Sequence, residues 1–126
     1  MNRKFLGLRT AIYKVADIQK AKTWYSNILG IQPYFDEPFY VGFNVGGYEL
    51  GLQPEEENSY QKTGGVTSYW GVQNVQKVFD DLISAGATPN EKPQNVGGEI
   101  VVASIKDPWG NLFGIIYNPE FKIEPS

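Results

Sequence analysis

The 126-residue sequence carries 11 basic and 14 acidic side chains, a formal charge of −3, and neither cysteine nor histidine. Missing cysteine excludes disulfides, zinc ribbons, iron–sulfur clusters and thiol nucleophiles. Missing histidine removes the usual transition-metal ligand and every Ser-His or Cys-His catalytic pair. An acidic chain without a basic block is poorly suited to nucleic acid. No apolar run approaches the roughly 20 residues of a membrane helix. Met1-Asn2-Arg3-Lys4 leads into no signal-peptide core. The expectation is a single cytoplasmic domain spanning 1–126, with neither nucleic acid nor membrane as partner.

In chain order, residues 5–15 are rich in apolar and β-branched types and predict a strand. Asp17 stands at a helix N-cap. Ile18, Ala21, Tyr25 and Ile28 recur at helical spacing, and Gly30 closes the helix. Strands are predicted over Ile31–Phe35, Tyr40–Val45 and Tyr48–Gln53, with a hairpin at Asn44-Val45-Gly46-Gly47. Residues 54–65 read as a polar linker whose acidic run, Glu55-Glu56-Glu57, forms a solvated surface.

The second half follows the same order. Val66–Val72 predicts a strand, and Asn74 caps a helix striped by Val75, Val78, Phe79, Leu82 and Ile83. Gly86 ends that helix. Residues 88–98 read as a polar loop, Glu99–Ile105 as a strand, 107–111 as a turn and Leu112–Tyr117 as a strand, before a surface tail over 118–126. An offset of 57 carries Thr10 onto Thr67, Val15 onto Val72 and Asp17 onto Asn74, and an offset of 63 carries Gly51 onto Gly114. Such a repeat, occurring twice, points to duplication of one βαβββ unit. Module one spans about 5–53 and module two about 66–117.

Three segments resemble the vicinal oxygen chelate superfamily, which contains glyoxalase I, bleomycin-resistance proteins and extradiol dioxygenases. They are Val15-Ala16-Asp17 with Trp24-Tyr25 and Ile28-Leu29-Gly30; Val72-Gln73-Asn74 with Leu82 and Ala85-Gly86-Ala87; and Asp107-Pro108-Trp109-Gly110-Asn111-Leu112. The resemblance implies an α+β fold of two tandem βαβββ modules, whose strands form a cup-shaped mixed sheet with helices on the convex face. It implies a homodimer as well. Metal enzymes of the family place one ligand near the start of each module's first strand and one in each last strand. In this sequence those positions are Thr10, Gly51, Thr67 and Gly114, none a good divalent-metal ligand. The expectation is no metal and no cofactor.

Strand alternation from these positions puts Thr10, Ile12 and Lys14 on the concave face, with Glu49, Gly51 and Gln53 from the last strand of module one. Module two contributes Thr67, Tyr69, Leu112, Gly114 and Ile116. Thr and Gly in place of His and Glu predict a wide, uncharged floor for a flat organic molecule. Tyr69, with Tyr40, Phe43, Trp109 and Phe113 as further candidates, would wall it. Structural roles stand beside these: Trp24 and Tyr25 pack the helix, one of Tyr40 and Phe43 is core, Trp109 packs at the rim, and Asp107 bonds backbone in its own turn.

The expected function is metal-independent binding or sequestration of a small organic molecule, a drug or toxic metabolite, as in antibiotic resistance. The candidate ligand-binding set is Thr10, Ile12, Glu49, Gly51, Gln53, Thr67, Tyr69, Trp109, Leu112 and Gly114. The alternatives are a glyoxalase-like lyase or dioxygenase, a metal-free enzyme using Glu49 or Tyr69 as acid/base, and a structural module whose cup is filled by its own side chains.

Overall fold

In the computed structural model, residues 8–55 and 67–119 are described. The chain divides into two compact units, Met1–Ser59 and Tyr60–Ser126. Each has one helix and one four-stranded sheet in the order β-α-β-β-β. This is the α+β arrangement of two tandem βαβββ modules. The sequence expectations for residues 5–7, Glu56 and Glu57, Val66 and most of the tail lie outside the described residues.

The first unit comprises β1 (Thr10–Val15), α1 (Ile18–Leu29), β2 (Phe35–Glu37), β3 (Tyr40–Val45) and β4 (Tyr48–Pro54). Its sheet order is β1-β4-β3-β2, with β1 and β4 parallel and the other pairs antiparallel. The Asp17 carboxylate accepts bonds from the backbone N–H of Gln19 and of Lys20, both 3.1 Å, satisfying donors that the first helical turn leaves open. Gly30, at φ 73°, adopts the left-handed conformation that ends α1 without a Cβ penalty. The helix covers one sheet face. Tyr25, Ala21, Val41, Phe43, Leu50 and Leu52 are fully buried there, and Tyr13 stacks on Tyr25 at 6.1 Å. Phe43 is therefore core. Lys22 reaches Asp36 of β2 at 2.9 Å and ties the helix to the sheet edge.

Residues 31–34 do not join a strand, contrary to the strand expected over Ile31–Phe35; β2 begins at Phe35. Pro33 has no N–H to give a ladder. One backbone bond, from Tyr34 N–H to the Gly42 carbonyl at 2.9 Å, leads into β2.

The second unit comprises β5 (Tyr69–Gly71), α2 (Val75–Ser84), β6 (Thr88–Gly97), β7 (Ile100–Lys106) and β8 (Leu112–Tyr117). Its sheet order, β5-β8-β7-β6, repeats that of the first unit. Asn74 caps α2 through a 3.0 Å bond from Lys77 N–H. Val75, Phe79, Leu82, Ala103, Ile105, Phe113 and Ile115 form the core, with Trp70 stacked on Phe113 at 6.2 Å. Phe113 thus packs inward and walls no ligand face.

The polar loop expected over 88–98 is the edge strand β6. Its sequence shows no apolar alternation because nearly every side chain is exposed. Pro89 and Pro93 are tolerated at an edge, and the pairing with β7 shifts register at three places. This strand supplies the third of the three strands that the duplicated unit requires. Among the described residues, no helix is long and apolar enough to cross a membrane.

Candidate functional site

The two units repeat one another in register. Ile12 pairs with Gly51 in the first, and Tyr69 pairs with Gly114 in the second. The offsets of 57 and 63 relate these two pairs to each other. In-register neighbours of a sheet point to the same side. The face of the first sheet opposite α1 therefore carries Thr10, Ile12 and Lys14 from β1 and Glu49, Gly51 and Gln53 from β4. Gly42 and Tyr40 of β3 and Phe35 and Glu37 of β2 belong to the same face. Ile12 is 48% exposed on it.

Glu49 organises this face. Its Oε1 accepts bonds from the Thr10 hydroxyl at 3.0 Å and the Tyr40 hydroxyl at 2.9 Å. Its Oε2 accepts a short bond from the Tyr34 hydroxyl. Three segments distant in sequence thus converge on one carboxylate. The approach depends on two glycines. The Tyr40 ring lies across Gly51, in the space a Cβ would take. The Tyr34 ring lies across Gly42, where a Cβ would stand 3.0 Å from the ring. Gly42 and Gly51 face each other across β3 and β4. Their bare backbones give both rings a path to Glu49.

The three hydroxyls favour the ionised acid. The Tyr34 bond does most to hold the Glu49 carboxyl below its ordinary value of 4.5, and those of Tyr40 and Thr10 add to it, while partial burial opposes them. The phenols respond in the opposite sense, because each donates its proton to an anion. Tyr40 is pushed up to about 12 by burial first, then by its bond to Glu49 and by nearby negative charge. Tyr34 is raised chiefly by its bond to Glu49. At neutral pH the cluster is one carboxylate held by three protonated hydroxyls.

The second unit lacks this chemistry. Leu112 stands where Glu49 stands in the first, so Thr67 meets no acceptor at the matching place. Tyr69, 43% exposed, lies over Gly114, and a Cβ there would come within 2.6 Å of its ring and 2.8 Å of the Ser68 carbonyl. Trp109 lies in the turn between β7 and β8, half-buried. Asp107, 3% exposed, accepts from Trp109 N–H at 2.9 Å, Asn111 N–H at 2.8 Å and the Asn111 side-chain amide at 2.9 Å. It is a turn-building carboxylate, as the sequence suggested. A recess of about 340 Å³ lies beside the N-terminus of α2, lined among others by Asn74, Gln76, Gln94, Asn95 and Tyr117. Asn74 caps the helix, Gln76 bonds Asp80 and Asn95 bonds its own turn, so three of these amides serve local structure.

Two sequence expectations change. The floor expected to be open at Gly51 and Gly114 is occupied by the rings of Tyr40 and Tyr69. Nor is it uncharged in the first unit, where the Glu49 carboxylate lies beside Gly51. Thr10, Ile12, Glu49, Gly51 and Gln53 do share one face, as alternation required. The sequence reading missed Tyr34, Phe35, Phe39 and Gly42. Tyr34 hid in a mis-assigned strand, and the pairing of Gly42 with Gly51 needs the register of β3 on β4.

The four positions where the resemblance implies metal ligands do not suit a divalent ion. The Thr10 hydroxyl is given to Glu49, Gly51 and Gly114 offer no side-chain donor, and Thr67 is a weak neutral ligand. Among the described residues, no three acidic side chains gather to hold a metal.

Comparison with known proteins agrees with this architecture. The model of the Glyoxalase/Bleomycin resistance protein/Dioxygenase superfamily matches residues 8–115. No curated protein matches the chain. Among solved structures, a glyoxalase-related enzyme from Fulvimarina pelagi superposes with a TM-score of 0.77 at 16% identity, over 95% of this chain and 94% of that one. A glyoxalase/bleomycin resistance protein/dioxygenase family enzyme from Burkholderia phytofirmans PsJN gives 0.74 at 21% identity, over 86% and 95%. A lactoylglutathione lyase from Agrobacterium tumefaciens gives 0.73 at 14% identity, over 94% and 100%. At these identities the likeness is one of fold.

Proposed function

The chain belongs to the Glyoxalase/Bleomycin resistance protein/Dioxygenase superfamily, and within it we propose that this protein binds a small organic molecule without a metal, on the face of the first sheet around Glu49. The observation that carries this reading is an ionised carboxylate set among accessible aromatic rings: Tyr34 and Phe39 are each 64% exposed and Phe35 39%. A few fixed polar groups among aromatic side chains are the usual make-up of a small-molecule site.

The electrostatics favour binding over proton transfer. A general base works best with a pKa near the operating pH. Glu49 is displaced downward, away from that range, and Tyr34 and Tyr40 upward. The lyase reading of a structural neighbour therefore gains no support from these residues. The filled spaces over Gly51 and Gly114 favour a second reading, a module whose face is closed by its own side chains.

A ligand screen read by thermal shift and by amide NMR decides between them. The proposal expects compounds that stabilise the fold and perturb the Gly42, Gly51 and Glu49 amides, at micromolar dissociation constants, about −8 kcal/mol. If no compound moves those amides, the closed-module reading stands instead. The proposal includes a cytoplasmic homodimer, on the strength of the family resemblance. Sedimentation giving a single-protomer mass would remove the dimer from it.

A further inference from the structure

The Glu49 carboxylate is compensated in an unusual way for a charge on a protein surface. Its partners are three neutral hydroxyls, those of Thr10, Tyr34 and Tyr40. Hydroxyl donors stabilise the anion but do not cancel it. The full negative charge therefore remains on the face. A carboxylate has about four acceptor positions, and three are used here, so Oε2 keeps capacity for one more donor. Lys14, the lysine on this face, stands in register with Gln53, four residues along β4, about 13 Å away at the usual rise per residue. Glu37, in register with Tyr40, adds a second carboxylate.

The aromatic groups form a continuous run beside that charge. The Phe39 ring lies 6.1 Å from Phe35, at 66°, and Phe35 lies 6.1 Å from Tyr40, at 54°. Tyr40 reaches Glu49, and Tyr34 reaches it from the Gly42 side. Aromatic faces carry negative potential and attract cations, most strongly where a fixed negative charge lies near. Phe35, Phe39 and Tyr34 are large apolar groups left exposed where core burial would otherwise claim them.

Resting on the binding reading above, we propose that the ligand class is an organic cation, a quaternary or protonated amine, whose charge sits against Glu49 and whose alkyl or aryl groups lie on Tyr34, Phe35, Phe39 and Tyr40. A neutral aromatic would use the rings but leave the charge unanswered. An anion would be repelled by both carboxylates.

The test uses choline and its uncharged isostere 3,3-dimethyl-1-butanol, with pivalate as an anion of the same shape, each titrated into the intact protein by amide NMR. Choline is expected to perturb the Gly42, Gly51 and Glu49 amides and to bind at least tenfold more tightly than the alcohol, with no response to pivalate. Glu49→Gln keeps an acceptor but removes the charge, and should weaken choline at least tenfold while leaving the alcohol unchanged. The amide spectrum of each variant reports its fold, and Phe39→Ala gives an independent loss of choline binding with Glu49 intact. Equal binding of choline and the alcohol, unaffected by Glu49→Gln, overturns the cation assignment but leaves a small-molecule site. Silence of this face toward these probes and toward the broad screen overturns both.

Discussion

Two carboxylates, one in each unit, each gather several hydrogen-bond donors and differ in where those donors come from. Asp107 is buried and accepts three bonds from N–H groups of its own five-residue turn. Glu49 is half-buried, and its donors are hydroxyls from β1, β3 and the segment before β2. The first is local and saturates backbone groups that burial would leave orphaned. The second is assembled from distant residues on an accessible face, beside exposed rings. A carboxylate that completes a turn is spent on folding. One gathered from three segments, with its charge kept and solvent at hand, remains available to a ligand.

That contrast can be broken most forcefully at Asp107. Asp107→Ala leaves two backbone N–H groups and an amide without their acceptor, and should cost about 2–5 kcal/mol in urea unfolding. Glu49→Gln should cost about 1 kcal/mol or less, because water reaches the hydroxyls it releases. Equal losses for the two variants would end the distinction between a structural and a binding carboxylate.

The paired glycines give the next effect. In Gly114→Ala the new methyl meets the Tyr69 ring and the Ser68 carbonyl, and backbone cannot step aside, so about 1–3 kcal/mol is expected. In Gly51→Ala the obstacle is the far end of the Tyr40 side chain, which can swing away. The stability loss should be smaller, and the pH response of the Glu49 cluster should change instead. Thermal melts of both variants compare the units directly.

The smallest effects lie in the pH dependence of stability. Glu49 has a folded pKa below 4.5, so its contribution is present above that value and is lost as pH falls through the folded pKa. Glu49→Gln should flatten the acid limb of the stability curve. Tyr40 has a folded pKa raised from 10.0 to about 12, so its contribution is present below pH 10 and is lost as pH rises through 12. Tyr40→Phe should flatten the alkaline limb. Chemical unfolding from acid to alkali would show both, and an unchanged alkaline limb in Tyr40→Phe would detach Tyr40 from the network.

Much of the fold is legible in residue order because its determinants are local. Asp17 and Asn74 cap their helices, Gly30 takes the left-handed turn, and the helical stripes bury Tyr25 and Phe79. Duplication is legible as well, since the offset of Thr10 to Thr67 survives as matching strand registers. Edge strands are not. β6 is polar on both sides and betrays no alternation, and only its pairing with β7 makes it a strand.

The site divides along the same line. Alternation alone placed Thr10, Ile12, Glu49, Gly51 and Gln53 on one face, because the pleat has a period of two. Composition alone stated that no imidazole or thiolate stands at the four positions the family resemblance marks. Which side chains fill the space beside the glycines was decided by tertiary structure. Tyr34 and Tyr40 reach Glu49 only because Gly42 is paired against Gly51, a contact set by register between strands rather than by neighbours in sequence. A missing side chain shows where volume is absent; long-range packing determines what enters it.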